Sequence, residues 1–85
     1  SYENQDMLLI DVGRDREERS VVLIENGHYK GFGFYNLNHQ ITNPKILKSI
    51  INPMPNNRDT QHIIQSYLRR HKVLKTIKLE SKEVH

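Results

Sequence analysis

Apolar residues in the first half of the chain fall into short runs that are typical of strands. Residues 7–12 form an apolar run closed by a glycine, and residues 20–25 are β-branched or apolar on both faces. Asn26 and Gly27 follow directly, and both tolerate positive φ, which is a strong signal for a tight hairpin. A return strand then covers residues 28–36. The pattern therefore predicts three consecutive strands, the second of them central in a sheet.

Alternation along the return strand divides its aromatic side chains into two sets. Tyr29 and Tyr35 share one face with the two glycines of the strand, whereas Phe32 and Phe34 share the other face. We expect the phenylalanine pair to face the core. The glycines would then permit a bulge or the close approach of a helix.

After residue 40 the apolar period changes to that of a helix. Thr42 or Asn43 is the expected cap, with Pro44 as the first helical residue. The apolar stripe of this helix consists of Ile46, Leu47, Ile50 and Ile51. Residues 52–55 contain two prolines, so we expect them to end the helix and form a stiff connector.

A second helix follows the prolines, with Asn56 or Asn57 as its cap. Its apolar stripe consists of Ile63, Ile64, Tyr67 and Leu68. Residues 73–79 alternate well enough for a final strand. The predicted order is β-β-β-α-α-β, which is an α+β fold with an antiparallel sheet and both helices packed on one face.

Composition limits the chain to one small domain. It has 85 residues, 35% of them hydrophobic, and no cysteine, which excludes a disulfide framework and a thiolate metal site. We assign the domain to residues 7–79, between polar tails at residues 1–6 and 80–85. No apolar run approaches the length of a membrane span, so we expect a soluble cytoplasmic domain without a membrane partner.

Charge is distributed unevenly along the chain. Residues 1–40 contain four basic and seven acidic residues, a formal charge of −3. Residues 41–85 contain nine basic and three acidic residues, a formal charge of +6. This asymmetry favours an anionic partner for the second half of the chain.

The second predicted helix carries the strongest candidate for a binding surface. Arg58, His62, Gln65 and Arg69 recur at helical spacing and share the side opposite the apolar stripe. The candidate nucleic-acid-binding residues, including those that continue the charge beyond the helix, are Arg58, His62, Arg69, Arg70, Lys72, Lys75 and Lys78. Cationic side chains of this reach suit the phosphates of a nucleic-acid backbone. An ordinary solvated helix face is the alternative interpretation.

Other motifs do not complete a catalytic or metal site. Residues 30–34 match the start of the RNA-recognition signature, but that fold needs a helix between its first two strands, and residues 13–19 are too few and too charged. Asp15 and Glu17 resemble a metal-binding carboxylate pair, yet they lie among arginines. The five histidines show no i,i+3 or i,i+4 pairing. We expect no catalytic residue, cofactor or metal in this chain.

Three stretches of the sequence resemble a known family. They are residues 13–27 (GRDREERSVVLIENG), 31–34 (GFGF) and 57–70 (NRDTQHIIQSYLRR). They are similar to the C-terminal region of bacterial fusion proteins that join an exonuclease of the DNA polymerase III epsilon-subunit type to an excinuclease-like domain. The similarity covers residues 7–79. Neither the exonuclease carboxylates nor the tyrosine-containing nuclease core is present, so no catalytic residue can be assigned from the resemblance.

The resemblance implies an accessory domain of a larger nuclease of DNA replication or repair. Together with the positive charge of residues 41–85, it predicts a non-catalytic module. This module would bind the backbone of a nucleic acid, DNA in the first place, or would position the catalytic domains of the nuclease. The alternative is a protein–protein or dimerisation module, whose partner is another domain or a second copy of the chain. Its contact surface would be an edge strand or the face formed by Tyr29, Gly31, Gly33 and Tyr35.

Overall fold

A computed structural model of the chain describes residues 6–39, 43–55, 57–70 and 72–79, with the backbone alone for Tyr67, Leu68 and Arg70. The elements in chain order are β1 (Met7–Val12), β2 (Glu18–Glu25), β3 (His28–Asn36), a 3-10 helix (Leu37–His39), α1 (Pro44–Ser49), β4 (Asn52–Pro53), α2 (Arg58–Arg70) and β5 (Lys75–Lys78). The alternative caps Thr42 and Asn56 lie outside the described residues, as do residues 1–5 and 80–85 of the predicted tails. The predicted burial of the Tyr67 and Leu68 side chains also lies outside the description.

The five strands form one antiparallel sheet in the order β4-β3-β2-β1-β5. The hairpin between β2 and β3 turns at Asn26 and Gly27, whose φ angles are 51° and 78°. Two consecutive positive φ angles are what a two-residue hairpin turn of this hand requires. The predicted α+β class, with an antiparallel sheet and two helices, is confirmed.

The prediction that residues 52–55 form only a connector is wrong for the first two of them. Asn52 and Pro53 pair with β3 as the edge strand β4. Two glycines of β3 allow the chain to come this close. Gly31 lies against the backbone oxygen of Asn52, and Gly33 lies against that of Ile50, so a Cβ at either glycine would overlap the facing backbone. This face of β3 is therefore covered by the segment that leaves α1.

The two helices pack on opposite faces of the sheet, which corrects the prediction that they share one face. α1 buries Leu47, which is 1% exposed, in a cluster with Leu8, Ile10, Val21 and Leu23. α2 places Ile64 against a second cluster, formed by Met7, Leu9, Ile24 and Tyr29. Successive residues of β1 thus point into different clusters. Because β1 and β2 are apolar on both faces, each face needs a cover of its own.

Each helix buries a narrower stripe than the sequence predicted. Ile46 is 48% exposed and Ile63 is 69% exposed, which corrects their predicted burial. Their neighbours Leu47 and Ile64 make the contacts with the sheet. Consecutive helical residues lie about 100° apart around the axis, so a helix resting on a flat sheet buries only one of each pair. Within the described ranges, no helix is both long and apolar enough to cross a membrane.

A β-bulge in β3 moves Tyr29 to the face covered by α2. The pairing of β2 with β3 shifts between Leu23 and Ile24, and Lys30 is the extra residue. Tyr29 therefore joins Phe32 in the cluster under α2. The prediction that Tyr29 shares a face with the glycines of β3 is wrong, since a bulge reverses the alternation of the residues that precede it.

Replacing Leu47 by alanine should lower the free energy of unfolding by about 2–5 kcal/mol, because it leaves a cavity at a fully buried position. Ile46→Ala on the same helix is the matched control. Its side chain is largely exposed, so its loss should cost less than about 1 kcal/mol. Urea denaturation followed by circular dichroism measures both values. Similar losses for the two variants would contradict the anchoring of α1 by Leu47.

Candidate nucleic-acid interface

The start of α2 is set by its capping residue, Asn57. The side-chain oxygen of Asn57 accepts a hydrogen bond from the N–H of Thr60 at 2.8 Å, and its carbonyl oxygen accepts one from the N–H of Gln61 at 3.0 Å. Asp59 lies in the first turn, where a carboxylate interacts favourably with the helix dipole. Local sequence therefore makes Arg58 the first helical residue.

A single glutamine holds α2 at the edge of the sheet. The N–H of Tyr29 donates to Oε1 of Gln61, and Nε2 of Gln61 donates to the carbonyl oxygen of Tyr29, both at 3.0 Å. The carboxamide thus replaces a neighbouring strand at a position that β4 does not reach, because β4 pairs only with Gly31 and Phe32. Ile64, one turn later, packs against the sheet. The inward side of α2 is fixed by both contacts.

The outward side of α2 carries Arg58, His62 and Arg69, which we call the α2 basic row. All three side chains are exposed. Among the described residues, none of the three forms an ion pair or a hydrogen bond through its side chain. The row extends over about 16 Å of helix, at 1.5 Å per residue. The sheet fixes the helix that carries these side chains, and the side chains themselves are accessible to an external anion.

The other predicted binding residues lie on both sides of the sheet. Lys78 pairs with Met7 and lies on the α2 side, whereas Lys75, three residues earlier in β5, lies on the α1 side. Lys72 is exposed in the segment between α2 and β5. The side chain of Arg70 lies outside the description. The fold thus brings Lys78 to the same side as the α2 basic row and places Lys75 away from it.

Beside the loop between β1 and β2 lies a chain of side-chain contacts that the sequence did not predict, from Arg14 to Phe34 to Phe32. The guanidinium of Arg14 donates two hydrogen bonds to the carboxylate of Glu18, at 2.8 Å and 2.7 Å. Its Cζ atom also lies 4.1 Å from the centroid of the Phe34 ring. Phe34 meets Phe32 edge-to-face, with 5.7 Å between centroids. No local signal in the sequence indicates this contact, because Arg14 and Phe34 are 20 positions apart in the chain.

Only one of the two phenylalanines, Phe32, packs against the hydrophobic core. Both rings are half-buried. Phe32 packs against the cluster under α2, as the prediction required. Phe34 lies further from that cluster and is covered by Arg14 instead. The end of β3 therefore leaves aromatic surface outside the core.

The loop itself is held by its own backbone and side-chain hydrogen bonds. The N–H of Gly13 donates to the carbonyl oxygen of Glu18 at 3.0 Å, and the N–H of Glu18 donates to that of Asp15 at 3.2 Å. The carboxylate of Asp15 accepts from the N–H of Glu17 at 2.9 Å, a turn-forming contact. In the part of the chain that the structure describes, no cluster of three or more His, Asp or Glu side chains is arranged to hold a metal ion.

Comparisons with known proteins do not place the chain in a family. No family model matches it, and neither a curated protein nor a solved structure does. The resemblance to nuclease fusion proteins therefore stays a prediction from the three sequence stretches quoted above. What the domain can bind has to be inferred from the α2 basic row and its surroundings.

Gln61→Ala should lower the free energy of unfolding by about 1–3 kcal/mol, because it leaves the N–H and carbonyl oxygen of Tyr29 without their partner. Gln65→Ala, an exposed change on the same helix, should alter it by less than about 0.5 kcal/mol. Amide hydrogen exchange supplies a local measurement. The Tyr29 amide should exchange faster in Gln61→Ala and at the wild-type rate in Gln65→Ala. Unchanged protection in both variants would rule out this role of Gln61.

Hydrogen bonds from the side chain and the backbone N–H of Arg14 lower the pKa of Glu18 to about 2. Since the folded value lies below the unfolded value of about 4.3, the interaction favours folding above that pH and is lost as the pH falls through about 2. An NMR titration of the Glu18 carboxyl carbon should give this midpoint. Arg14→Gln should raise the midpoint towards that of an ordinary glutamate, and Arg16→Gln should not. A wild-type midpoint near 4 would contradict the pairing.

Proposed function

We propose that this domain is a non-catalytic accessory module of a DNA replication or repair nuclease, and that it binds nucleic-acid backbone through the α2 basic row. The proposal rests on the environment of Arg58. It is exposed at the first position of α2 and has no partner among the described residues. The stability of the helix does not explain a cation at this position.

The helix dipole makes that position unfavourable for a cation, because the first turn carries partial positive charge. Asp59 offsets this only in part. Arg58 also takes part in neither of the ion pairs found among the described residues, which join Arg14 to Glu18 and Lys48 to Glu25. An external anion would supply the opposite charge that Arg58 lacks among the described residues.

The spacing of the row suits an extended polyanion. A row of about 16 Å matches roughly five nucleotides of one strand, at about 3.4 Å of rise per nucleotide. Phosphate contacts require charge and reach rather than a pocket, and exposed arginines provide both. Arg69 at the last turn also complements the helix dipole. It therefore contributes to stability as well as to the proposed contact, which makes Arg58 the cleaner residue to test.

The alternative of a protein–protein or dimerisation module has less support. Of the face considered for it, Gly31 and Gly33 are covered by the segment that leaves α1, and Tyr29 lies on the other side of the sheet. Two edges of the sheet remain for it. One is β4, which is only two residues long and contains Pro53, and the other is the outer edge of β5. Pairing two copies through the centre of this strand would set Lys75 of one copy opposite Lys78 of the other, and like charges at that distance are unfavourable.

Arg58→Glu should weaken binding of a fluorescent DNA oligonucleotide by about tenfold at 50 mM salt and make the affinity fall less steeply between 50 and 200 mM, since fewer counterions are released. Lys45→Glu, the same change at an exposed residue of α1 on the opposite face, should bind like the wild type. Thermal unfolding checks that both variants fold, and Arg58→Glu should be as stable as the wild type or slightly more stable.

Two results would contradict the proposal. One is a wild-type protein that binds no oligonucleotide at 50 mM salt. The other is a folded Arg58→Glu variant with unchanged affinity, which would remove α2 from the interface. Sedimentation of the wild type provides the complementary measurement. A concentration-dependent dimer without DNA binding would favour the interaction module.

A further inference from the structure

We propose that Arg14, Phe32 and Phe34 form a base-stacking site for single-stranded DNA, which we call the Arg14–Phe34 corner. The inference rests on the proposed function, because the α2 basic row supplies the attraction to phosphates. The corner adds a second kind of contact. It would make the module prefer single strands over duplexes.

The rings lie on the side of the sheet that carries α2. Phe32 and Phe34 pair with Val22 and Ser20 of β2, which point to this same side. Ser20 is small, and its hydroxyl donates to the carbonyl oxygen of Val12 at 2.8 Å. No bulky side chain of β2 therefore stands directly opposite Phe34. Both rings are half-buried, so part of each ring is accessible to solvent.

Arg14 is held in place before any ligand arrives. The Phe34 ring lies against its guanidinium, and Glu18 accepts hydrogen bonds from Nε and Nη2. The Arg14 side chain is nevertheless 70% exposed. A guanidinium group is planar and stacks on aromatic surfaces, nucleobases included. Because the group is already ordered, stacking a base on it costs little additional side-chain entropy.

The charge of the corner favours bases over phosphates. Arg14 and Glu18 form a neutral pair, so the corner exerts little net attraction on the backbone. It presents planar surface instead. Stacking on such a surface needs base faces that are free, and these are available in a single strand and covered in a duplex. Attraction by α2 and stacking at the corner are therefore separable contributions.

The corner is built differently from the surface of an RNA-recognition module. The loop between β1 and β2, residues 13–17, contains no helix, and it supplies Arg14 from the side of the sheet. The stacking surface therefore depends on the loop as much as on β3.

The charge-conserving variant Arg14→Lys tests the planar surface. Arg16→Lys in the same loop is its matched control, since Arg16 is exposed and the cation–π contact found among the described residues belongs to Arg14. Fluorescence anisotropy with the full chain compares a labelled 15-nucleotide oligo-dT with a duplex of the same length, at 50, 100 and 200 mM salt. Arg14→Lys should bind oligo-dT about tenfold more weakly with an unchanged salt dependence. Duplex affinity should not change, and Arg16→Lys should match the wild type.

Phe34→Leu tests the ring while keeping most of the apolar volume, and circular dichroism verifies its fold. It should weaken oligo-dT binding to a similar extent. The chain contains no tryptophan, so Phe34→Trp places a unique fluorophore at the corner. Stacking should quench this fluorescence when oligo-dT is added. The duplex should leave the emission unchanged.

The outcomes separate the two proposals. If Arg14→Lys and Phe34→Leu bind oligo-dT as tightly as the wild type, or if the wild type binds the duplex equally well, the corner is not a stacking site, although salt-dependent binding through α2 is retained. If neither oligonucleotide is bound by the wild type at 50 mM salt, the proposed function fails and this inference fails with it.

Discussion

The close approach of residues 50–52 to β3 determines the arrangement of the rest of the chain. At Gly31 and Gly33 no side chain separates the two backbones, so the segment leaving α1 passes directly over β3 and pairs at its outer edge. From that edge, α2 covers the face that α1 leaves open. A Cβ at either glycine would overlap the backbone of this segment and push it away from β3.

The bulge at Lys30 lies beside the first of these glycines and positions α2. It turns Tyr29 towards the α2 side and directs its N–H and carbonyl oxygen outward, beyond the reach of β4. The carboxamide of Gln61 satisfies both groups. Because the helix is held by Gln61 and Ile64 on its inward side, the orientation of the outward residues follows. The position of the α2 basic row is thus a consequence of backbone geometry in β3.

The two parts of the proposed interface use different physical interactions. Arg58 and Arg69 offer charge that no described carboxylate neutralises, whereas Arg14 is neutralised by Glu18 and offers a planar surface against Phe34. Screening by salt weakens the first kind of contact and leaves the second nearly unchanged. A module that combines them gains affinity from backbone phosphates and selectivity from exposed bases.

The sequence by itself determined the features that depend on neighbouring residues. The hairpin at Asn26 and Gly27, a polar cap within two residues of the start of each helix and the shared side of the α2 cations all follow from local backbone preferences and helical period. Only the tertiary structure decided which face each helix covers, which of its apolar residues are buried, where β3 bulges, and that Arg14 meets Phe34. These features depend on contacts between segments far apart in the chain, and no local pattern specifies such contacts because several packings satisfy the same periodicity.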